Sequence, residues 1–356
     1  MRVLLTVDPI IPVPPTLYGG IERIVDCLAR GLVERGHEVS LLAHPDSRVP
    51  CRLFPYGIPP HWGWRARSGE LWQVGSRLWR MRNQFDVVHS FGRLAALLPI
   101  LPCRRLVKIQ SYQRDGVPWR SVRTATRLAG PSICFTGCAS SVYRHRPHHG
   151  PLGGDWRTVF NGVDLTKYQF QPEVAPDAPL VFLGRIERIK GVHHAIAIAR
   201  GAGRKLVIAG NKVQSGPDAN YFDQEIAPHL DGKAVEYIGP VDDAQKNELL
   251  GRSAALLMPI EWEEPFGIVM VEAMACGTPV IAFPRGSVPE VVREGVNGII
   301  AKDVAGAVVG VHRLSQFNRR QVRDDCEKRF GQTVIVSAYE ELYTRLLSDR
   351  RAGTPK

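Results

Sequence analysis

The sequence is informative first for what it lacks. Its apolar runs fall well short of the roughly 20 residues that a membrane-spanning helix needs. The seven cysteines are odd in number and scattered without a Cys-x-x-Cys pair, which argues against a disulfide framework or a zinc site and for a reducing, cytoplasmic location. The opening MRVLLTVDP is too short and turns acidic too early for a signal peptide, and it predicts a buried first strand instead.

Two further absences bear on chemistry. No Gly-x-Gly-x-x-Gly follows a predicted strand, which disfavours an NAD-dependent dehydrogenase. Neither half offers an Asp-x-Asp pair in a position suited to a divalent ion, so we expect no metal and no other cofactor.

Negative charge is scarce in the first half of the chain. Residues 1–164 contain 22 Lys and Arg against 11 Asp and Glu, whereas residues 165–356 contain 24 of each kind. All but one of the cations in the first half are Arg, which binds carboxylate and phosphate in a bidentate manner. This excess fits an acidic acceptor, an anionic membrane face, or a solvated basic surface without a partner. Nucleic acid is disfavoured because no recognition motif accompanies the charge.

One basic stretch, residues 61–84, interleaves tryptophan with arginine. Leu71, Val74, Leu78 and Met81 form one stripe at helical spacing, and Trp62, Trp64, Trp72 and Trp79 lie beside it. A helix of this kind can lie in the plane of a membrane interface, so we hypothesise contact with the inner face of the membrane. The alternative is an ordinary helix whose apolar stripe covers a sheet.

Short apolar runs without polar alternation recur between helical segments over the 356 residues, a length that favours two domains. They predict an α/β fold with two parallel sheets, each covered by helices on both faces. The predicted strands are Arg2–Val7, Glu38–Ala43, Asp86–His89, Arg105–Ile109, Thr158–Phe160, Leu180–Leu183, Lys205–Ala209, Val235–Ile238, Ala254–Met258 and Pro279–Phe283.

The domain boundaries follow from composition. We expect a first domain at 1–164, a linker with three prolines at 165–179, a second domain at 180–331, and a helix at 332–356 that crosses back to the first domain. Ligands bind at the carboxyl ends of parallel strands, so a cleft where the two domains face each other is the expected site.

The strongest motif is EWEEPFGIVMVEAMACGTPVIA at 261–282. Glu264 and Glu272 stand eight apart, with Pro265 expected at the first helical position and Glu272 about two turns further on. Two carboxylates so placed can grip two parts of an elongated ligand rich in hydroxyls. The alternative is an acidic turn that merely offsets a helix dipole.

This segment resembles the E-x7-E signature of glycosyltransferase family 4, the retaining enzymes with the GT-B fold of two Rossmann-like domains, and the resemblance extends across nearly the whole chain. It implies that Glu264 holds the donor sugar and Glu272 the ribose, with the amides of Phe266, Gly267 and Ile268 reaching the sugar and the β-phosphate.

Three further motifs carry the resemblance. Gly184–Arg185 and Lys190–Gly191 follow the first strand of the second half, and the resemblance puts Arg185 and Lys190 on the donor diphosphate. Gly19 and Gly20, before the first helix, are implied to close over the same diphosphate. The turn from Gly239 to Lys246 is similar to the family's base-binding turn and implies contacts from Val241, Asp243 and Lys246, although Asp243 alone favours a helix cap.

The sequence departs from the family at one position. Many members carry His where VKIQSYQ here has Gln110, which can donate a hydrogen bond but cannot act as a general base. His89, in DVVHS, is a candidate substitute on the acceptor side, while a lone His at a strand end is more often structural.

The resemblance therefore implies a retaining hexosyltransferase that needs no metal and uses a nucleotide diphosphate sugar, with UDP-glucose favoured and GDP-mannose as alternative. The acceptor would be a glycan, a lipid-linked sugar or a small molecule, as in bacterial polysaccharide or secondary-metabolite pathways. The rival hypotheses are a nucleotide-sugar epimerase and a catalytically silent nucleotide-sugar-binding subunit. A phosphorylase is disfavoured because no pyridoxal phosphate lysine motif is present.

Overall fold

The chain folds into two compact units. A computed structural model describes residues 1–15, 19–57, 64–144 and 153–352. The first unit combines residues 1–162 with 332–356, and the second is the continuous segment 163–331.

The first unit is built on a parallel sheet of seven strands among its described residues, in the order β3-β2-β1-β4-β5-β6-β7. Its strands are β1 (Arg2–Thr6), β2 (Glu38–Ala43), β3 (Arg52–Pro55), β4 (Val87–Ser90), β5 (Val107–Tyr112), β6 (Ile133–Gly137) and β7 (Trp156–Thr158). The interior of β1, β2, β4, β5 and β6 is buried throughout, as expected for strands covered on both faces.

Helices cover this sheet. They are α1 (Gly20–Glu34), α2 (Trp64–Met81), α3 (Trp119–Ala129), α4 (Ser141–Arg144) and, after the second unit, α11 (Gln332–Ala352), with 3-10 turns at Leu94–Ile100 and Gly130–Ser132. In α1 the apolar residues recur at helical spacing and face the core, with Leu28 and Leu32 fully buried.

Helix α11 belongs to the core of the first unit. It packs on α1 at Gly31, where a Cβ atom would lie 2.4 Å from a methyl group of Val336. Tyr339 and Tyr343 are fully buried, and Glu340 accepts a hydrogen bond from Arg35 at 2.6 Å. The helix thus adds two buried aromatic side chains to the core of the first unit.

The second unit repeats the architecture with six parallel strands among its described residues, in the order β10-β9-β8-β11-β12-β13. These are β8 (Leu180–Leu183), β9 (Leu206–Ala209), β10 (Val235–Gly239), β11 (Ala255–Met258), β12 (Val280–Ala282) and β13 (Gly298–Ile300). The strand order reverses direction beside β8 and β11, which is where ligands bind in such sheets.

The helices of this unit are α5 (Val192–Gly201), α6 (Asp243–Gly251), α7 (Ile268–Ala275), α8 (Val288–Val291), α9 (Val304–His312) and α10 (Arg319–Phe330). Shorter helical turns occupy Leu165–Lys167, Arg188–Lys190, Phe222–Ile226, Ala227–His229 and Leu314–Gln316. Helices α5 and α9 pack together over a core that includes Ile196 and Val311.

The segment expected to be a linker is part of the second unit. Tyr168 is buried, and Gln171 bonds through its backbone to Cys276 and Arg319. Its prolines made the sequence look unstructured, but its aromatic and backbone groups have partners in the core of this unit.

Candidate active site

Glu264 lies in the loop between β11 and α7 and is nearly buried. Its Oε2 atom accepts hydrogen bonds from the Lys190 ammonium at 2.6 Å and from the Trp262 indole N–H at 3.0 Å. The Lys190 Nζ atom also lies 4.5 Å from the centre of the Trp262 ring, within range of a cation–π interaction. Glu264, which the sequence predicts to hold the donor sugar, and Lys190, which it predicts to hold the diphosphate, are therefore direct neighbours.

The backbone beneath Lys190 explains this proximity. Gly191 adopts a left-handed conformation with φ of 74°, and a Cβ atom there would lie 1.9 Å from the Pro259 carbonyl oxygen. The amide of Glu261 donates to the Ile189 carbonyl at 2.9 Å. Only glycine permits this close approach, so Gly191 sets the position of Lys190 beside the loop that carries Glu264.

A second loop holds Glu264 from the other side. Gly286 has φ of 55°, and a Cβ atom there would lie 2.2 Å from the Glu264 carbonyl oxygen. The Ser287 amide donates to that oxygen at 2.9 Å, and its hydroxyl donates to the Phe266 carbonyl at 2.9 Å. The loop at Gly286 and Ser287 thus fixes the backbone of the motif.

The start of the helix that follows Glu264 differs from our expectation. Helix α7 begins at Ile268 after a left-handed Gly267, so Pro265 precedes the helix instead of opening it. Glu272 therefore lies about one turn into α7, not two. No hydrogen bond among the described residues uses the amides of Gly267 or Ile268, which leaves these groups at the helix start suited to an anion.

Glu272 is also paired with a lysine. Its Oε1 atom accepts from the Lys246 ammonium at 2.6 Å and from the Tyr168 hydroxyl at 2.7 Å, and both carboxylate and ammonium are buried. Lys246 was predicted near the nucleobase, and the structure places its charge on the carboxylate predicted to hold the ribose.

The two carboxylates share one pattern. Among the described residues, each accepts from one lysine and one aromatic side chain, and both bonds converge on a single oxygen. Such pairing offsets the desolvation of a buried charge. It also leaves the second oxygen of each carboxylate outside these bonds, in the state needed to accept hydroxyl hydrogen bonds from a sugar.

The remaining predicted donor residues, apart from Gly19 and Gly20, lie in the same unit. Arg185 follows β8 and pairs with Glu187 at 2.7 Å, with almost half of its side chain exposed. Phe266 is buried, and its ring lies 5.9 Å from that of Phe330. Val241 is partly exposed just before α6. The cap of that helix is Asp242, which forms a capping box with Gln245, so the prediction of Asp243 as the cap was wrong by one residue.

In the first unit, Gly19 and Gly20 stand at the start of α1. The buried carboxylate of Glu22 lies against this turn, because a Cβ atom at Gly19 would be 2.9 Å from its Oε2 atom. Burial raises the pKa of Glu22 and that of Asp8, which follows β1. A diphosphate contact from this turn stays a prediction, and the adjacent Tyr18 lies outside the described residues.

His89 is not the acceptor-side base that we considered. It is fully buried, with Nδ1 2.7 Å from the Tyr343 hydroxyl and Nε2 2.6 Å from the Ser111 hydroxyl. Burial lowers the pKa of His89 to about 3. A group enclosed in this way cannot take a proton from an acceptor, so His89 serves to join β4, β5 and α11 in the core.

Gln110 is also buried. Its amide nitrogen donates to the carbonyls of Gly92 at 2.8 Å and Ser111 at 3.1 Å, while its Oε1 atom is buried without a partner among the described residues. The side chain is held by the backbone, and its amide group offers no acid–base function at this position.

Two residues of this site were missed by sequence reasoning. Tyr168 lies in the segment taken for a linker, and only its aromatic character amid polar residues could have drawn attention. Trp262 stands two residues before Glu264, inside the strongest motif, but its hydrogen bond to that carboxylate depends on a loop geometry that residue spacing does not reveal.

Two family models match the chain. The model described as "Glycosyl transferases group 1" matches residues 166–310, the region that contains both carboxylate–lysine pairs. The model described as "Glycosyltransferase Family 4" matches residues 18–127. Together the two ranges take in more than two thirds of the chain.

Similar proteins match over nine tenths or more of the chain. Glycogen synthase of Mycobacterium tuberculosis is 26% identical, covering 96% of this chain and 95% of its own length. Phosphatidyl-myo-inositol mannosyltransferase of Mycolicibacterium smegmatis is 27% identical, covering 91% and 90%. The crystal structure of AviGT4, a glycosyltransferase involved in avilamycin A biosynthesis, is 27% identical with a TM-score of 0.74 and covers 98% of each chain.

Fold, site and relatives agree on the class: the protein is a hexosyltransferase with the GT-B fold that uses a nucleotide-sugar donor. Both Rossmann-like parallel sheets expected for that fold are confirmed. Within the class, the chain belongs to glycosyltransferase family 4.

Helix α2, the tryptophan- and arginine-rich segment, is too polar to span a bilayer. Among the helices that the structure describes, none is both long and apolar enough to cross a bilayer.

Proposed function

We propose that the protein is a retaining transferase that moves glucose from UDP-glucose to a glycan, a lipid-linked sugar or a small-molecule acceptor. The observation that carries this proposal is the pairing of Glu264 with Lys190 and of Glu272 with Lys246 in one unit. The name of the glycogen synthase relative supports glucose as the transferred sugar. The mannosyltransferase relative makes GDP-mannose the alternative donor.

In this mechanism the nucleotide diphosphate leaves and the acceptor attacks from the same face of the sugar. Lys190 and Arg185, with the amides of Gly267 and Ile268, stabilise the charge that develops on the leaving phosphate. Glu264 grips the sugar hydroxyls beside Lys190. A retaining-glycosidase pair is disfavoured because that chemistry needs carboxyls about 5 Å apart around the scissile bond, whereas Glu272 is assigned to the ribose.

The test of the sugar assignment is Glu264→Gln. This change removes a charge-assisted hydrogen bond to the sugar worth roughly 1.5–3 kcal/mol, so transfer should fall about 10–150-fold while UDP binding, measured by calorimetry, stays nearly intact. Glu248→Gln is the matched control, because Glu248 is exposed on α6 and pairs only loosely with Arg252 at 3.6 Å. Near-normal transfer by Glu264→Gln would remove this residue from the site.

Two cations are proposed to replace a metal ion at the diphosphate. Transfer should therefore survive EDTA, and Lys190→Ala or Arg185→Ala should each weaken UDP binding. An absolute requirement for Mn²⁺ or Mg²⁺ would contradict this part of the mechanism.

A silent nucleotide-sugar-binding subunit is the second candidate function. The burial of Gln110 and His89 favours it, because neither side chain can assist proton transfer from an acceptor. Slow hydrolysis of UDP-glucose without an acceptor would support an enzyme, since a binding subunit leaves the donor intact.

The acceptor side of the proposal includes an anionic membrane face. On α2, Val74 and Leu78 are buried, whereas Trp72 is 78% and Trp79 46% exposed. These two tryptophans are seven residues apart and share one helix face. Arg82 stacks 3.8 Å from the Trp79 ring centre. Trp62 and the side chains of Trp64, Arg65 and Arg67 lie outside the described residues.

Vesicle co-sedimentation tests this contact. Anionic vesicles at low salt should pellet the protein, and high salt, neutral vesicles or Trp72→Ala combined with Trp79→Ala should each reduce pelleting. Equal, negligible pelleting in all conditions would show that the basic excess serves a soluble acidic acceptor or no partner.

A further inference from the structure

Three metal-ligating side chains meet at a place that the donor chemistry does not use. His193 and His194 are adjacent in the first turn of α5, and Glu261 lies just beyond β11. The Nε2 atoms of His194 and His193 lie 2.8 Å and 3.6 Å from the Oε1 atom of Glu261. One ligand atom from each of the three side chains lies within 4.8 Å of the others.

These distances suit a small transition-metal ion. Zinc binds imidazole nitrogen at about 2.0–2.1 Å and carboxylate oxygen at about 2.0–2.2 Å, so neighbouring ligands around a tetrahedral ion lie roughly 3.3 Å apart. The observed spacings bracket that value. Small rotamer changes of His194 and Glu261, both partly exposed, would bring the three atoms to it.

The imidazole of His193 is already oriented by a hydrogen bond at its Nδ1 atom. The Tyr221 hydroxyl lies 2.7 Å from His193 Nδ1 and accepts a hydrogen bond from the His193 amide at 3.2 Å. A metal-binding histidine almost always donates its other ring N–H to an acceptor, which fixes the ring and its tautomer. The Tyr221 hydroxyl can accept from Nδ1–H in this way, and Nε2 is then free for the ion. Here Tyr221 directs His193 Nε2 toward Glu261.

The backbone also holds the start of α5 and the loop at Glu261 together without help from these side chains. The Glu261 amide donates to the Ile189 carbonyl at 2.9 Å, and Gly191 presses on Pro259. The ligands are therefore carried by a fixed frame, which lowers the entropic cost of assembling the site.

We propose that His193, His194 and Glu261 bind a divalent transition-metal ion, with Zn²⁺ the best match. Two imidazoles and one carboxylate suit zinc and its neighbours and are a poor set for Mg²⁺ or Ca²⁺, which prefer oxygen ligands. The sequence argument against zinc concerned cysteine pairs, and this set contains none.

The ion would tie the start of α5 to the loop that carries Trp262 and Glu264. Its role is to stiffen that loop, and it takes no part in bond making, because neither Lys190 nor Glu264 is among its ligands. Metal binding should therefore raise thermal stability and leave transfer in EDTA unaffected.

The experiment uses the full chain with any affinity tag removed and with metal stripped by EDTA. Calorimetric titration with ZnCl₂ should show one ion per chain, and Co²⁺ should give the visible absorption of a low-coordinate site. His194→Ala and Glu261→Gln should each weaken Zn²⁺ binding at least about tenfold, and Tyr221→Phe should weaken it about 10–100-fold. His312→Ala, which removes an exposed histidine on α9, is the matched control and should bind as the parent does.

Thermal melting without metal checks that each variant folds. Zinc should raise the melting temperature of the parent and of His312→Ala, and EDTA should reverse the rise. Zinc binding that is absent from the parent, or unchanged in both His194→Ala and Glu261→Gln, would overturn the proposal. Loss of transfer in EDTA would contradict the metal-independent mechanism and leave this binding result standing.

Discussion

The pair formed by Lys246 and Glu272 allows a sharp test of the site. Lys246→Met removes the ammonium but keeps most of the side chain, leaving Glu272 as a buried carboxylate whose one remaining hydrogen-bond partner among the described residues is the Tyr168 hydroxyl. Breaking a buried pair by removing one member costs about 3–5 kcal/mol. For a unit of this size, we expect the melting temperature to fall by roughly 6–20 °C.

The assay is calorimetric melting of the full chain with three matched variants. Lys246→Met combined with Glu272→Gln should recover much of the lost stability, because the amide still accepts from Tyr168 and no charge stays buried alone. Lys205→Met is the control, since Lys205 pairs with Glu236 at the surface of the same unit at 2.8 Å and should cost no more than about 1 kcal/mol. Equal shifts for Lys246→Met and Lys205→Met would refute the reasoning.

Three further predictions concern single residues. Glu272→Gln should abolish the preference for UDP over 2′-deoxy-UDP in calorimetric binding; a preference that persists would move the ribose elsewhere. Burial lowers the pKa of His89 in the folded state to about 3. Between that pH and about 6.5 the unfolded state therefore binds more protons than the folded state. The free energy of unfolding should fall as the pH drops through this window, by about 4–5 kcal/mol in all. Urea unfolding of His89→Gln should lack that component, and an identical pH profile would contradict the buried, neutral assignment. Gly191→Ala should melt far below the parent because its Cβ would overlap the Pro259 carbonyl. The control is Gly203→Ala, which has a similar positive φ and open space around it and should cost only about 1–2 kcal/mol. Equal costs for the two variants would mean that the contact between Gly191 and Pro259 is unimportant.

The sequence predicted the architecture well because buried parallel strands leave a strong signal. Glu38–Ala43 and Leu180–Leu183 were predicted with their observed bounds. Strands β3, β6 and β13 were missed. Strand β3 lies at the edge of its sheet and is only partly buried, and β13 is three residues long and begins with glycine, so neither shows a sustained apolar run.

The sequence singled out the residues of the candidate site but not the contacts between them. Three separate motifs singled out Glu264 with Glu272, Lys190, and Lys246, yet nothing in their spacing shows that these residues form two pairs. The pairing of Lys190 with Glu264 depends on the left-handed Gly191, which lets two loops touch, and that contact is a property of the folded backbone. The burial of His89 could not be predicted either, because it involves Tyr343, which is 254 residues away along the chain.

The position of α11 has a consequence for biosynthesis. The second unit is one continuous stretch, so its residues all leave the ribosome before α11 does, whereas the first unit keeps an open hydrophobic face until α11 arrives. At 5–20 residues per second, residues 163–331 take roughly ten seconds or more to synthesise, and during that time the waiting face depends on chaperones or on transient burial. A nascent chain interrupted before α11 would carry a folded second unit and an unfinished first unit, and proteases would cleave the unfinished unit first.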